Sequence, residues 1–319
     1  MDRGPDLVRD SVPVIDLSPF GGRDHTAAQS VIEAVGAACR SLGFFIATGH
    51  GVNAAVTQRF YDLARDFFDQ PERIKREATP GGDIPGGLSF MPLATESLGG
   101  TIGVVAPGDY KESLNYGPRL TGGPWPATVL PLHLAFEQYF AQMERLARRL
   151  RDIFCAAVGL PEGYFEADFV DHLSALRVIN YPEPKTPPLP GQMRAGAHTD
   201  YGFLTILRSE ASSGGLQVQS RGGDWIDVPA LDDAFVINIG DAFMRWTNDV
   251  WVSTPHRVIN PPPTGAAGSR RQSIPFFSNP NAAATIRCLD QFCDADRPAR
   301  YPPVSYGDYI ALKTQQAYA

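Results

Sequence analysis

The sequence predicts a mainly β protein with a strong helical complement: a sandwich or jelly roll in the C-terminal half, preceded by an α/β region and a long helix. Three observations predict it. From Leu173 onward, short β-prone segments follow one another without intervening helices, at 175–180, 203–207, 215–219, 225–227, 234–239 and 271–277. Ahead of them, residues 127–158 carry apolar positions at helical spacing, among them Leu134, Tyr139, Met143, Leu146, Leu150 and Phe154. The first third alternates short strands with helices.

The N-terminal elements can be justified in order. Residues 12–17 suit an edge strand, because Pro13 cannot donate to a central ladder. Val31, Val35 and Ala38 mark a helix over about 26–42, which Gly43 ends, and 44–48 is a buried strand. Asn53 is placed to cap a second helix that ends near Asp69, ahead of Pro71. Residues 79–123, rich in glycine and proline, suit long loops with short strands, and a helical tail should follow Pro302 and Pro303. No internal repeat is visible. The expected division is an N-terminal region over 1–125 and, over 126–319, the long helix, the β core and a C-terminal helix.

A chain of 319 residues can bury one large core or two modest ones. Its formal charge of -7 excludes non-specific nucleic-acid binding, which needs clustered positive charge. The basic runs at 72–76 and 145–151 mix charges at helical spacing and suit solvated helix faces. Cys39, Cys155, Cys288 and Cys293 show no zinc-type pairing and suit free thiols. With no apolar leader and no run near the ~20 apolar residues of a membrane span, the expectation is a cytoplasmic protein without membrane contact.

The chemistry-bearing residues lie in the β half. His198 and Asp200, in Ala197-His198-Thr199-Asp200, would share one face of a strand, and a distal His256 follows in Thr254-Pro255-His256-Arg257. Two imidazoles and one carboxylate make a facial set that suits iron(II) and leaves coordination positions open. A His-x-Asp pair alone also fits a surface ion pair, so its surroundings decide. Arg271 and Ser273 again share a strand face, where a guanidinium and a hydroxyl can grip a carboxylate.

With these residues the sequence resembles the isopenicillin N synthase-like branch of the 2-oxoglutarate/iron(II)-dependent oxygenases. The likeness runs through Gly43-Phe44-Phe45, Asp109-Tyr110-Lys111-Glu112-Ser113, Arg177-Val178-Ile179-Asn180-Tyr181-Pro182, Asn238-Ile239-Gly240-Asp241 and Arg245-Trp246-Thr247-Asn248. It implies a double-stranded β-helix (cupin-like jelly roll) core, iron ligation by His198, Asp200 and His256, and 2-oxoglutarate held by Arg271 and Ser273, with Asn180 and Tyr181 approaching it. It further implies dioxygen as oxidant and oxidation of a small organic molecule, by hydroxylation or else desaturation or cyclisation, coupled to formation of succinate and CO2. Leu88, Phe90, Phe203 and Phe277 are candidates to line the substrate pocket. The turn at 261–269 is longer than in many relatives, and the loop at 85–90 is more apolar.

Alternatives remain. Asp200 fills the position that halogenating relatives leave open. An isopenicillin N synthase-type oxidase without 2-oxoglutarate would use Arg271 and Ser273 on the substrate's own carboxylate, and a non-catalytic jelly-roll binder is a third reading. Gly49-His50-Gly51-Val52-Asn53-Ala54 matches a dinucleotide pattern, but the following stretch lacks the parallel strand the motif requires. His50 therefore reads as a structural strand-end residue, and His25, His133 and His172 as surface or capping residues. Neither a nucleophile elbow nor a P-loop is present.

Overall fold

The computed structural model describes residues 11–78, 89–117, 129–210, 214–262 and 268–317. The N-terminal elements are β1 (Val14–Asp16), α1 (His25–Ser41), β2 (Phe44–Thr48), α2 (Ala54–Phe68) and α3 (Glu72–Arg76). Then come β3 (Ser89–Met91), β4 (Glu112–Tyr116) and the long α4 (Leu130–Ala157). The β half contains β5 (Ala175–Tyr181), β6 (Ala195–His198), β7 (Leu204–Ser209), β8 (Leu216–Gln219), β9 (Trp225–Asp227) and β10 (Phe235–Ile239). After α5 (Asp241–Trp246) follow β11 (His256–Val258), β12 (Arg271–Ser278), β13 (Thr285–Ile286), β14 (Val304–Ser305) and α6 (Tyr306–Ala317). The division expected near residue 125 falls outside the described residues.

Two sheets face one another. The larger has the order β1-β2-β10-β7-β12-β5-β4-β3 and the smaller β6-β11-β8-β9. Every pairing in these two sheets is antiparallel except β1 with β2, which sits at the edge where Pro13 is tolerated. Between the sheets lies an apolar cluster drawn from both, including Phe44, Ile46, Ile179, Val236, Leu216, Val218 and Val258. This is the jelly roll the strand texture predicts.

The other face of the large sheet packs on helices. Leu176, Val178, Ile206, Ile237, Ile274 and Phe276 join the second core with the stripe Phe136, Tyr139, Phe140, Met143, Leu146 and Leu150 of α4. Leu134, expected in that stripe, is instead exposed on the opposite side of the helix. Asn53 caps α2 through its side-chain oxygen, which accepts from the backbone N–H groups of Ala55 and Val56. Gly43 ends α1 with φ of 71°, and a Cβ there would sit 2.0 Å from the Val252 carbonyl oxygen. Both faces of the large sheet are therefore covered, so each strand residue is assigned to one core or the other by its parity.

Candidate active site

His198 ends β6 and is the direct cross-strand partner of His256 at the start of β11, so two histidines far apart in sequence stand side by side. Their ring centroids are 4.3 Å apart, and one ligand atom from each of His198, Asp200 and His256 falls within a 4.8 Å cluster. Each imidazole has its Nδ1 on a backbone carbonyl, Gly196 at 2.8 Å and Thr254 at 3.2 Å, which directs Nε2 toward the cluster. Asp200 is not on the strand. The β6–β11 ladder shifts register and ends at His198, and the carboxylate is positioned from the larger sheet instead. Its Oδ2 accepts from Thr205 Oγ1 at 2.6 Å and Asn238 Nδ2 at 2.7 Å, leaving Oδ1 toward His256 Nε2 at 3.9 Å.

The Asp200 loop also sits on the start of α5. The N–H of Asp241 donates to the Asp200 carbonyl at 2.7 Å, and Gly240 allows this approach, since a Cβ there would lie 2.2 Å from the Gly202 carbonyl oxygen. Gly240→Ala is accordingly expected to shift the loop, costing about 1–3 kcal/mol as an overpacked site. Metal titration and urea unfolding of the variant check it; wild-type values in both would refute the packing argument. Asp241 is tied in turn to α6, accepting from Tyr309 at 3.0 Å and pairing with Lys313 at 2.9 Å.

Electrostatics favour a metal over protons. Desolvation and the neighbouring His256 push His198 down to about 3, so it is a neutral donor at ordinary pH. Burial would raise the Asp200 carboxyl, but His256, His198 and the two hydrogen bonds hold it below the usual range. The sign for stability follows. An unfolded His198 takes up a proton near 6.5 while the folded one resists until about 3, so the metal-free protein loses stability as pH falls across that interval. Urea unfolding between pH 8 and pH 5 should show this decline, with a shallower slope in His198→Gln.

Arg271 and Ser273 open β12 and are 1% exposed, on the strand face that looks between the sheets. Arg271 pairs directly with Tyr181, its guanidinium carbon 5.0 Å from that ring centroid. Its Nη2 donates to Ser209 Oγ at 2.9 Å, while Nε and Nη1 are buried without a hydrogen-bond partner among the described residues. Tyr181 therefore stands against the guanidinium. Asn180, its neighbour on β5, faces the helices, where its amide donates to Glu112 Oε1 at 2.8 Å and its carbonyl accepts from Arg270 Nε at 2.9 Å. Adjacent strand residues point to opposite faces, so the structure brings one of the expected pair to Arg271 and not the other.

The four apolar candidates separate in the same way. Phe277 is opposite Thr205 on β7, on the face that carries Asp200's partners, and is half-buried. Phe203 is fully buried among Phe154, Phe165, Phe169 and Phe243, away from the inter-sheet space. Phe90 pairs with Leu114 and packs on Phe67 at the helix-facing side. Leu88 lies outside the described residues.

A buried charge cluster, unanticipated as such, flanks the triad. Lys111 pairs with Glu96 at 2.9 Å and Asp109 at 3.1 Å, and Arg177 Nη1 donates to both Glu96 oxygens at 3.2 and 3.1 Å. Burial would raise Glu96, but Arg177 and Lys111 hold it well below the carboxylate range. Asp109 also accepts from the Gly196 N–H at 2.9 Å and so braces the start of β6. His50 has the structural role expected, with Nε2 3.0 Å from the Asp233 carbonyl and Nδ1 accepting from Val52. The four cysteines are free, and no helix among the described residues is long and apolar enough to cross a membrane.

A jelly roll presenting two imidazoles and one carboxylate to a single point defines the mononuclear non-haem iron class. Comparison with known proteins is specific. Residues 173–280 match the 2OG-Fe(II) oxygenase superfamily, and residues 12–131 match the non-haem dioxygenase in morphine synthesis N-terminal family. The 2-oxoglutarate-Fe(II) type oxidoreductase hxnY of Emericella nidulans is 30% identical, the alignment spanning 96% of this chain and 90% of hxnY. A homoarginine-6-hydroxylase of Oryza sativa is 29% identical over 95% of this chain and 96% of its own. Among solved structures, a full-length Neurospora crassa protein in complex with alpha-KG superposes with a TM-score of 0.84 at 28% identity, covering 95% of this chain and 96% of that one. The chain belongs to the 2OG-Fe(II) oxygenase superfamily. It is an iron(II)- and 2-oxoglutarate-dependent oxygenase of small molecules.

Proposed function

We propose that His198 and His256 through Nε2 and Asp200 through Oδ1 hold one iron(II), that Arg271, Ser273 and Tyr181 receive the far carboxylate of 2-oxoglutarate, and that the reaction is hydroxylation of a small organic substrate. The donor set fits the ion: two histidines with Nδ1 already engaged and a carboxylate with one oxygen already doubly hydrogen-bonded each have one atom left for a metal. Iron with 2-oxoglutarate and dioxygen supplies the oxidising chemistry, two electrons coming from decarboxylation to succinate and two from the substrate. The protein's own residues bind, orient and exclude. Thr205 and Asn238 fix which carboxylate oxygen faces the ion, and Phe277 offers an apolar wall on the same sheet face. The small molecules named for relatives differ widely, homoarginine for the rice enzyme and thymine in a second complex of the Neurospora crassa protein, so the substrate of this chain is to be read from its own walls.

The observation that carries this reading is Arg271: a guanidinium 1% exposed, with two nitrogens lacking partners among the described residues, on the triad's side of the large sheet. Its removal tests the assignment. Anaerobic addition of 2-oxoglutarate to the iron(II)-loaded protein should produce a visible charge-transfer band. In Arg271→Gln the concentration needed should rise about 100-fold, the scale of a lost charge-assisted hydrogen-bond pair. A band at unchanged concentration in Arg271→Gln would overturn the clamp, and none in the wild type with iron bound would favour an oxidase that grips its substrate there. Screening small molecules for substrate-dependent succinate then identifies the substrate.

A further inference from the structure

Arg194, four residues before His198, is 2% exposed, and its Nη2 donates to Ser269 through the backbone oxygen at 2.5 Å and Oγ at 3.3 Å. Its Nε is buried and has no hydrogen-bond partner among the described residues. The guanidinium carbon is 6.0 Å from the Tyr181 ring centroid, and that of Arg271 is 5.0 Å from the same ring. Two buried cations thus flank one tyrosine. Lys111, beside the strand β4, has its charge met by Glu96 and Asp109; neither arginine has a carboxylate within ion-pair distance among the described residues. Glu210, the acid nearest in sequence to Ser209, is engaged by Arg65 and the Gln272 N–H.

Buried like charges without a counter-ion are costly, and proteins keep them where an anion completes the set. Burial and then the charge of Arg271 lower the proton affinity of Arg194. A carboxylate has lone pairs for several donors, and three nitrogens have no hydrogen-bond partner among the described residues: Nε of Arg194 and Nε and Nη1 of Arg271.

We propose that Arg194 is a second binding guanidinium of the co-substrate pocket, so that the far carboxylate of the 2-oxo acid is held by Arg194 and Arg271 together. This rests on the reading of Arg271 as the carboxylate clamp. The consequence is selectivity: two positive charges demand a dicarboxylate and reject a 2-oxo acid with a neutral tail.

The test measures binding to the manganese(II)-loaded protein by calorimetry, without turnover, using 2-oxoglutarate and 2-oxovalerate (a 2-oxo acid lacking the far carboxylate). Arg194→Gln should weaken 2-oxoglutarate about 10- to 100-fold, leave 2-oxovalerate and manganese binding unchanged, and so collapse the preference. Arg194→Lys should recover part of it, since charge is retained while the planar donor set is lost. If both Arg194 variants bind 2-oxoglutarate as the wild type does, while Arg271→Gln binds it weakly, the clamp stands and Arg194 merely ties Ser269. Equal weakening of both acids in both variants likewise assigns Arg194 a structural role and overturns the proposal. Wild-type affinity in Arg271→Gln would instead remove the clamp itself. Should Arg194→Gln fail to fold, the lysine variant decides alone by the same ratio.

Discussion

Asp200→Ala is expected to abolish stoichiometric iron(II) binding and, with it, substrate-dependent succinate formation. The two imidazoles alone cannot hold a hard divalent ion as they do with an anionic oxygen between them, and Asp200 is the charged member of the triad. Its partners give the prediction internal structure. Thr205 and Asn238 both donate to Oδ2, so deleting either frees the carboxylate to rotate without removing its charge. Asn238→Ala should weaken iron about 10- to 100-fold, the usual effect of losing a group that orients a ligand. The ranking, Asp200→Ala far below Asn238→Ala and that below wild type, is the measurable content. Titration with iron(II) under anaerobic conditions gives the affinities, and circular dichroism shows whether the fold survives. Wild-type iron affinity in a folded Asp200→Ala protein would remove the triad as the metal site.

That the three residues His198, Asp200 and His256 could be grouped from sequence, while the faces of their neighbours could not, has a physical answer. Helix α4 declared itself through periodicity, the short strands through successive β-prone segments without intervening helices, and Asn53 and Gly43 through cap chemistry. The strand parity of β5 did not. Residues 175–181 read Ala-Leu-Arg-Val-Ile-Asn-Tyr, apolar on both faces because the large sheet is covered on both faces, so a period of two leaves no trace. Asn180 and Tyr181 then look equally suited to a ligand, although one meets Glu112 and Arg270 behind the sheet and the other meets Arg271 in front. The same ambiguity grouped Phe203 and Phe90 with Phe277. Asp200 appeared to share a strand with His198 because the end of β6 at His198 leaves no compositional mark. The place of β4 among the loops and short strands expected over 79–123 is not legible for a related reason: Glu112 and Ser113 are buried by pairing with distant charges and strands that a single chain does not display. The motif residues Asp109 and Lys111 were visible, but their roles as brace and counter-charge required the fold.

Glu112 is where the largest loss of stability is expected. It accepts from Lys75 Nζ at 2.6 Å and from Asn180 at 2.8 Å, and both side chains of the ion pair are 10% exposed. Lys75 otherwise faces the Phe68 carbonyl at 3.5 Å and the Phe90 ring at 5.2 Å, neither able to neutralise it. Glu112→Ala leaves that ammonium buried without its anion, which should cost about 3–5 kcal/mol in urea unfolding. The pair itself contributes far less than this, because desolvation offsets most of its attraction. Replacing both residues by methionine should therefore restore part of the loss, the double variant remaining below wild type by about the 1–3 kcal/mol of the Asn180 amide it strands. An Asn180→Ala variant completes the logic: it should cost about 1–3 kcal/mol by stranding the polar groups it joins, while leaving the 2-oxoglutarate concentration dependence unchanged. A raised requirement for 2-oxoglutarate in Asn180→Ala, at unchanged stability, would put that side chain back at the co-substrate and contradict the face on which β5 holds it.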